Sequence, residues 1–346
     1  MNNRQVDIET FFALSSNIPI IDVRSPFEFD HAHIPGAVNL PIFTNDERKR
    51  VGICYKDKGR EAAVLLGLEI VGLKMVEFAQ LAKKLAGSNK LLVHCWRGGM
   101  RSSSMSWLFS TLGIETYTLE GGYRSYRRYI KSYFANDFTI VVLGGMTGSG
   151  KTEILKEIKK NGGQVIDLEG LANHKGSAFG ALGQDTQSTT EQFENNLFSE
   201  LFRMEKKNPI WLEDESITIG KICIPEELYS QMRNTVVIKV NIPKEERIRW
   251  LVKEYGEFDH ELLKDSIQRI KKRIGGLNYQ LAIEALENNQ LEKLVDLVLS
   301  YYDKTYSYGL SNRNQEKVHV IDLRNIDHPY NALKILEFYQ NILKKY

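Results

Sequence analysis

The sequence predicts an α/β protein made of two parallel-sheet domains in tandem, and three observations predict it. Short apolar, β-branched runs of strand length alternate with helical patterns along the chain. Two of those runs feed loops of unusual composition, one around Cys95 and one from Gly145 to Thr152, and parallel sheets place their chemistry at strand C-termini. The length, 346 residues, suits two domains better than one. With 42% hydrophobic and 26% charged residues the chain can bury an ordinary core, which excludes disordered and collagen-like classes.

In chain order, Ile18-Pro-Ile-Ile-Asp-Val23 reads as a buried strand ending at Asp22. Apolar residues recur at helical spacing from Lys74 to Leu85, Lys90-Leu-Leu-Val-His-Cys95 reads as a second strand, and Met105 to Leu112 returns to helical spacing. A Tyr-rich stretch, Tyr123 to Phe134, closes this first domain, expected over residues 1–135. The second domain, 136–346, opens with the strand Phe138-Thr-Ile-Val-Val-Leu143. Gln164 to Asp167, Pro209 to Glu213, Val236 to Val240 and Val318 to Asp322 are its further strands, separated by charged helical segments, a βα alternation that implies a parallel sheet. Residues 244 to about 302 are helical almost throughout and are expected to form an insertion or lid.

Net charge is +2, with 18 basic against 13 acidic residues up to residue 135 and 28 against 31 beyond it. Whole-molecule charge therefore gives no argument for nucleic acid, and only local patches can. No apolar run approaches the roughly 18 residues of a membrane span, and the acidic opening lacks a signal-peptide pattern, so a cytoplasmic protein without membrane association is expected. Cys54, Cys95 and Cys223 form neither a disulfide framework nor a Cys-x-x-Cys pair that would suggest zinc.

Gly145-Met-Thr-Gly-Ser-Gly-Lys-Thr152 fits G-x-x-x-x-G-K-[ST], between an apolar strand and a helix-forming segment. Gly145, Gly148, Ser149 and Gly150 make the turn whose N–H groups converge on a phosphate, Lys151 adds a point charge, and Thr152 is placed for Mg²⁺. A diphosphate is the expected ligand. Trp211-Leu-Glu213-Asp214-Glu215 follows another strand, so Glu213 and Asp214 are candidates for a carboxylate on Mg²⁺; a charged loop after a core strand is the competing reading. The loop recognises phosphate and does not by itself imply nucleotide hydrolysis.

His94-Cys95-Trp96-Arg97-Gly98-Gly99-Met100-Arg101-Ser102 puts a cysteine at a strand end, with an arginine six positions on. Amides of such a turn, and the helix starting near Ser102, stabilise a thiolate at Cys95. Arg97, Gly98, Gly99 and Ser102 shape a cradle in which Arg101 holds a bound oxyanion. The chemistry is nucleophilic attack on phosphorus, or on sulfur or selenium carried by a donor. The same pattern serves cysteine-dependent phosphatases. Ile21-Asp-Val-Arg-Ser-Pro-Phe-Glu-Phe29 followed by His33-Ile-Pro-Gly-Ala-Val-Asn39, however, resembles the first half of a rhodanese domain. A rhodanese-fold phosphatase or sulfurtransferase joined to a nucleotide kinase stays open, as does a nucleotide-gated RNA-binding module.

Gly121-Gly-Tyr123-Arg124-Ser-Tyr126-Arg127-Arg128-Tyr129 interleaves aromatic and cationic residues. Such a mixture suits single-stranded RNA, through phosphate contacts and base stacking; it equally suits an amphipathic helix whose tyrosines are packed. His174 and Lys175, in Asp167-Leu-Glu-Gly-Leu-Ala-Asn-His-Lys-Gly-Ser177, are further candidates to meet a phosphate or RNA.

Together with Tyr55-Lys-Asp-Lys-Gly59 and Tyr301-Tyr-Asp303, these motifs closely resemble the tRNA 2-selenouridine synthases over nearly the whole chain. The resemblance implies an N-terminal rhodanese-like domain and a C-terminal P-loop domain. It implies replacement of sulfur by selenium in 2-thiouridine at the wobble position of tRNA, with selenophosphate as donor. It further implies an S-geranyl intermediate made from geranyl diphosphate. Carried onto this chain, Cys95 forms a selanylcysteine intermediate, Arg101 and the loop amides hold selenophosphate, and the Gly145–Thr152 loop binds a diphosphate, that of geranyl diphosphate or, as the second choice, of a nucleotide. The expected partners are tRNA and a selenophosphate-supplying enzyme. No tightly bound cofactor is expected, and Mg²⁺ is a candidate ion.

Overall fold

The computed structural model of the protein describes residues 3–344, which fall into two compact units. The first comprises residues up to Tyr133 together with Glu194–Phe198, and the second comprises Phe134–Phe193 and the residues from Ser199 onward.

In the first unit five strands, β1 (Asn3–Val6), β2 (Ile20–Asp22), β3 (Val38–Asn39), β4 (Lys90–His94) and β5 (Glu115–Leu119), form one parallel sheet in the order β1-β5-β4-β2-β3. Leu91, Val93, Met105 and Phe109 are buried in its core with Ile21 and Val23. The register sets Asp22 beside His94 at the C-terminal edge, so residues after β2 and β4 meet there. Ser25 caps the helix Pro26–His31 in a capping box with Glu28, which fixes Glu28 above the same edge. A helical stretch, Asn45–Gly72, breaks at Gly59, whose φ of +81° lies in the left-handed region that glycine tolerates.

The second unit holds β6 (Ile140–Gly145), β7 (Gln164–Val165), β8 (Ile210–Glu213), the two-stranded hairpin β9 (Thr218–Ile219) and β10 (Ile222–Cys223), β11 (Val236–Asn241) and β12 (Val318–Asp322). Its main sheet is parallel, in the order β12-β11-β6-β8-β7. The phosphate-loop strand β6 is therefore central, and its pairing with β8 sets Leu143 opposite Glu213. Trp211 is buried and packs edge-on against Tyr339 at 5.2 Å. Helices Lys244–Tyr255, His260–Ile274, Gly276–Glu287 and Leu291–Ser311 make up the helical region. The last runs past Tyr302, and three of them carry a core of their own around Leu263, Ile267, Ala285 and Leu294. Among the described residues no helix is long and apolar enough to cross a membrane.

Candidate active sites: a cysteine loop and a phosphate loop

Cys95 follows β4 directly and is only 3% exposed. Its Sγ lies 3.2 Å from Ser102 Oγ, one turn into the helix Met100–Thr111. The loop is clamped from below. The N–H groups of Tyr123 and Arg124, at the start of the helix Gly122–Tyr133, donate to the carbonyls of Cys95 (2.8 Å) and Trp96 (2.9 Å). A Cβ on Gly122, where φ is +59°, would stand 2.4 Å from the Cys95 carbonyl oxygen, so only glycine allows this approach.

Arg101 reaches back to Glu28, Nη1 to Oε2 at 2.9 Å, and Arg48 reaches the same oxygen at 3.0 Å. Burial works against the Glu28 charge, but Arg101, backed by the Ser25 N–H and Arg48, holds its pKa down to about 2. Arg101 is thus anchored by an ionised partner rather than loose in solvent. Beneath the loop Arg24 is buried; its Nη2 donates to Asp22 Oδ2 at 2.6 Å and to the Ala32 carbonyl at 2.7 Å. The same guanidinium lies 3.8 Å from the centre of the Tyr123 ring. His94 is fully buried, and burial pushes its pKa below the usual value, favouring the neutral imidazole.

The expectation that Tyr123 and Tyr126 present rings to bases is corrected by their burial, since both are 0% exposed. Tyr123 instead stacks on Arg24 and its hydroxyl accepts from Asn195 Nδ2 at 2.8 Å. Arg127 is taken up by Glu194 and Asn195. Arg124 and Arg128, joined by Lys131, form the exposed cationic face of this helix. Cys54 is half-buried and Cys223 exposed, and neither belongs to the Cys95 loop.

In the second unit Gly148 and Gly150 adopt φ of +81° and +68°, and the helix Lys151–Lys160 begins at the loop's end. Ser149 is buried and turns its hydroxyl to the Met146 carbonyl. Lys151 Nζ lies 3.2 Å from Glu213 Oε1, and Thr152 Oγ1 donates to Glu213 Oε2 at 2.9 Å. Glu169 and Glu215 complete a trio with Glu213, carboxylate oxygens within 4.8 Å of one another. Burial, then the neighbouring Glu213 charge, pushes the Glu169 pKa up to about 10 and that of Glu215 up to about 8. For Lys151 burial acts against the ammonium, yet Glu213, Glu169 and Glu215 override it and raise its pKa.

Asp214 stands elsewhere. It is paired with Arg313 and accepts from Tyr306 Oη at 3.3 Å, while the same hydroxyl accepts from the Gly145 N–H at 2.7 Å. The carboxylates beside Thr152 are Glu213 and, at 3.3 Å, Glu169, and the expectation for Asp214 is corrected to a brace beneath the loop. A second brace is Arg247, which donates to the Thr147 carbonyl at 3.0 Å and is held by Asp303. Lys175 pairs with Glu254 and lines the cleft that holds Lys151; His174, packed against Gly180 and Gly220, has its pKa lowered by burial. The cleft, about 690 Å³, is walled by the phosphate loop, the three glutamates and several tyrosines of the helical region.

Glu169, Glu215, Arg247, Tyr306 and Arg313 were not among the candidates from sequence. Glu169 and Glu215 lie inside motifs singled out there, and the pairing of β8 with β6 supplies the missing information for Glu215. For Arg247, one cation in a charged helix, no sequence signal exists.

The family model described as the tRNA 2-selenouridine synthase AAA domain matches residues 138–332, and the rhodanese-like domain model matches residues 12–129. The chain is 33% identical to the tRNA 2-selenouridine synthase of Nitrosomonas europaea, with 90% of this chain and 94% of that protein covered. It is 34% identical to the tRNA 2-selenouridine synthase of Shewanella frigidimarina, with 88% and 92% covered. The chain belongs to the tRNA 2-selenouridine synthase family.

Proposed function

We propose that the protein converts 2-thiouridine at the tRNA wobble position to 2-selenouridine in two steps, each served by one loop. In the first, the phosphate loop binds geranyl diphosphate, and the thiouridine sulfur attacks the carbon bearing the diphosphate, which leaves. In the second, the Cys95 thiolate attacks the phosphorus of selenophosphate and releases selenide, which adds to C2 and expels the S-geranyl group as geranylthiol, while water cleaves the Cys95 S–P bond and phosphate leaves. The order follows from leaving-group chemistry, because an alkylated sulfur departs as a neutral thiol more readily than bare thiouridine loses sulfide. Arg101 and the loop amides bind the selenophosphate oxyanion, and Arg124 and Arg128 contact tRNA phosphates.

The observation that carries this reading is the joint presence of two anion cradles of different chemistry in one chain. One is built around a thiol, Cys95 beside Ser102. The other is built around Lys151 and Thr152 with no cysteine among its lining residues. Thr152 and the glutamate trio offer only oxygen donors, the set that suits Mg²⁺. Thr152 and Glu213 would hold that ion, and it would neutralise charge on the departing diphosphate. The loop amides and Lys151 orient the diphosphate itself.

The test separates the steps. Cys95→Ala should accumulate S-geranyl-2-thiouridine in tRNA while forming no selenouridine. Lys151→Ala should form neither from 2-thiouridine, yet convert tRNA already geranylated. Selenouridine formed by Cys95→Ala at the wild-type rate would refute the role of the thiol.

A further inference from the structure

We propose that residues 45–60 of the first unit form a docking arm for the tRNA, with Lys49, Arg50, Lys56, Lys58 and Arg60 on backbone phosphates and the Tyr55 ring stacked on a nucleotide. This rests on the tRNA reading above and adds a binding surface apart from the cysteine loop and from Arg124 and Arg128. Residues 48–60 hold six basic residues against one acidic, Asp57. That excess equals the whole basic excess of residues 1–135, so the positive charge there is gathered in one short stretch. Arg48 is paired with Glu28. Among the described residues the other five have no acidic partner within ion-pair distance.

The stretch is held at one end and bare at the other. Thr44 and Glu47 close a capping box at its start, Lys74 donates to Glu47, and Asn45 Oδ1 accepts from the Phe27 N–H at 2.9 Å. Arg48 shares Glu28 Oε2 with Arg101, so the arm starts beside the cysteine loop. Beyond that point Val51 and Cys54 are half-buried, and residues 55–61 are exposed without exception. Helical spacing aligns Lys49, Gly52, Ile53 and Lys56 on the opposite, exposed side. A Cβ on Gly52 would meet nothing within 4 Å, although glycine suits the middle of a helix poorly. Packing gives no reason for glycine there, whereas a phosphate lying between Lys49 and Lys56 needs the room. RNA supplies both things this surface lacks, negative charge for five unpaired cations and a flat ring for Tyr55, which is 58% exposed.

Binding of 2-thiouridine tRNA to the full chain, followed by fluorescence anisotropy over a range of salt, tests the arm. Lys49→Gln combined with Lys56→Gln should raise Kd about tenfold at about 0.1 M salt and lower the log–log salt slope by about one to two units. Lys83→Gln combined with Lys84→Gln removes the same charge from another exposed helical surface of the unit and should change Kd by no more than about twofold. Gly52→Glu should raise Tm, because glutamate is the better helix former and stands four residues from Arg48 and Lys56, yet raise Kd at least about fivefold. Alkylation of Cys95 by a small reagent should be unchanged in all three variants, which reports an intact cysteine loop. An unchanged Kd in both arm variants, or an equal loss in the Lys83 and Lys84 variant, would overturn the arm. Self-association lost in the arm variants by sedimentation velocity, with tRNA binding intact, would assign the stretch to a second copy of the chain and overturn it too. tRNA bound through the arm but neither geranylated nor selenated sinks the two-step reading and leaves the arm standing; both reactions at the wild-type KM for tRNA in the Lys49 and Lys56 variant do the reverse.

Discussion

Cys95 gains its chemistry from what surrounds one sulfur atom, and each neighbour makes a separate demand. Ser102 Oγ, at 3.2 Å, is positioned to donate to a thiolate. Its loss in Ser102→Ala should slow selenium transfer about tenfold, the scale of one hydrogen bond to a charged group, measured as single-turnover selenouridine formation. Arg101 is oriented by the ionised Glu28. Glu28→Gln should therefore lower the rate of the second step by about tenfold without weakening selenophosphate binding, because the Arg101 charge is kept and only its aim is disturbed.

Still at the residue scale, the glutamate trio makes stability depend on pH. Glu169 and Glu215 have pKa values in the folded chain, about 10 and about 8, above their ordinary 4.5. Between those limits the folded state binds more protons than the unfolded one, so stability present below about pH 4.5 is lost as pH rises, through about 8 for Glu215 and about 10 for Glu169. Thermal unfolding of the second unit should shift to lower temperature between pH 6 and pH 9. Glu215→Gln and Glu169→Gln should each flatten that slope, and an unchanged slope in both would contradict the assignment.

At the scale of elements, the helix Gly122–Tyr133 does two jobs with two faces. Its buried side carries Tyr123 and Tyr126, and its first N–H groups clamp the cysteine loop; its exposed side carries Arg124, Arg128 and Lys131. Replacing Arg124 and Arg128 with glutamine should weaken tRNA binding and reduce its salt dependence by about one unit of log–log slope for each phosphate no longer neutralised. Cys95 alkylation by a small reagent should be unaffected. The alternation of aromatic and basic residues in the sequence was compatible with either face being functional. It could not say which, because a 3.6-residue period fixes faces but not what each face meets.

Element existence was legible wherever burial on both sides produced a continuous apolar run. β2, β4, β6, β8 and β11 all lie within or close to their expected segments, and β12, a half-buried to exposed edge strand, was legible from Val318, Val320 and Ile321. β3, two residues long, and β5, Glu115-Thr-Tyr-Thr-Leu119, lack such a run and were not foreseen. The long helical stretch Asn45–Gly72 escaped for a related reason, its charged first half giving no apolar stripe.

Over the whole molecule the two loops themselves were legible to the residue, since glycine spacing, a lysine and a cysteine at strand ends are constraints that a single sequence states directly. Their support was not. Glu169 comes from a short helix, Glu213 and Glu215 from the end of β8 and the residues after it, Asp303 and Tyr306 from the helix Leu291–Ser311 and Arg313 from just beyond that helix. Only strand order and helix docking bring such distant positions to one loop.

The proposed function has one uridine undergo two reactions, alkylation at the phosphate loop and then selenation at the cysteine loop. Mass spectrometry of nucleosides from 2-thiouridine tRNA incubated with the wild-type protein and selenophosphate, with and without geranyl diphosphate, tests this most directly. Selenouridine should form only when the geranyl donor is present, with S-geranyl-2-thiouridine appearing first and then declining. Selenouridine formed equally well without geranyl diphosphate, or S-geranyl-2-thiouridine that accumulates and is never consumed by the wild type, would contradict the two-step order.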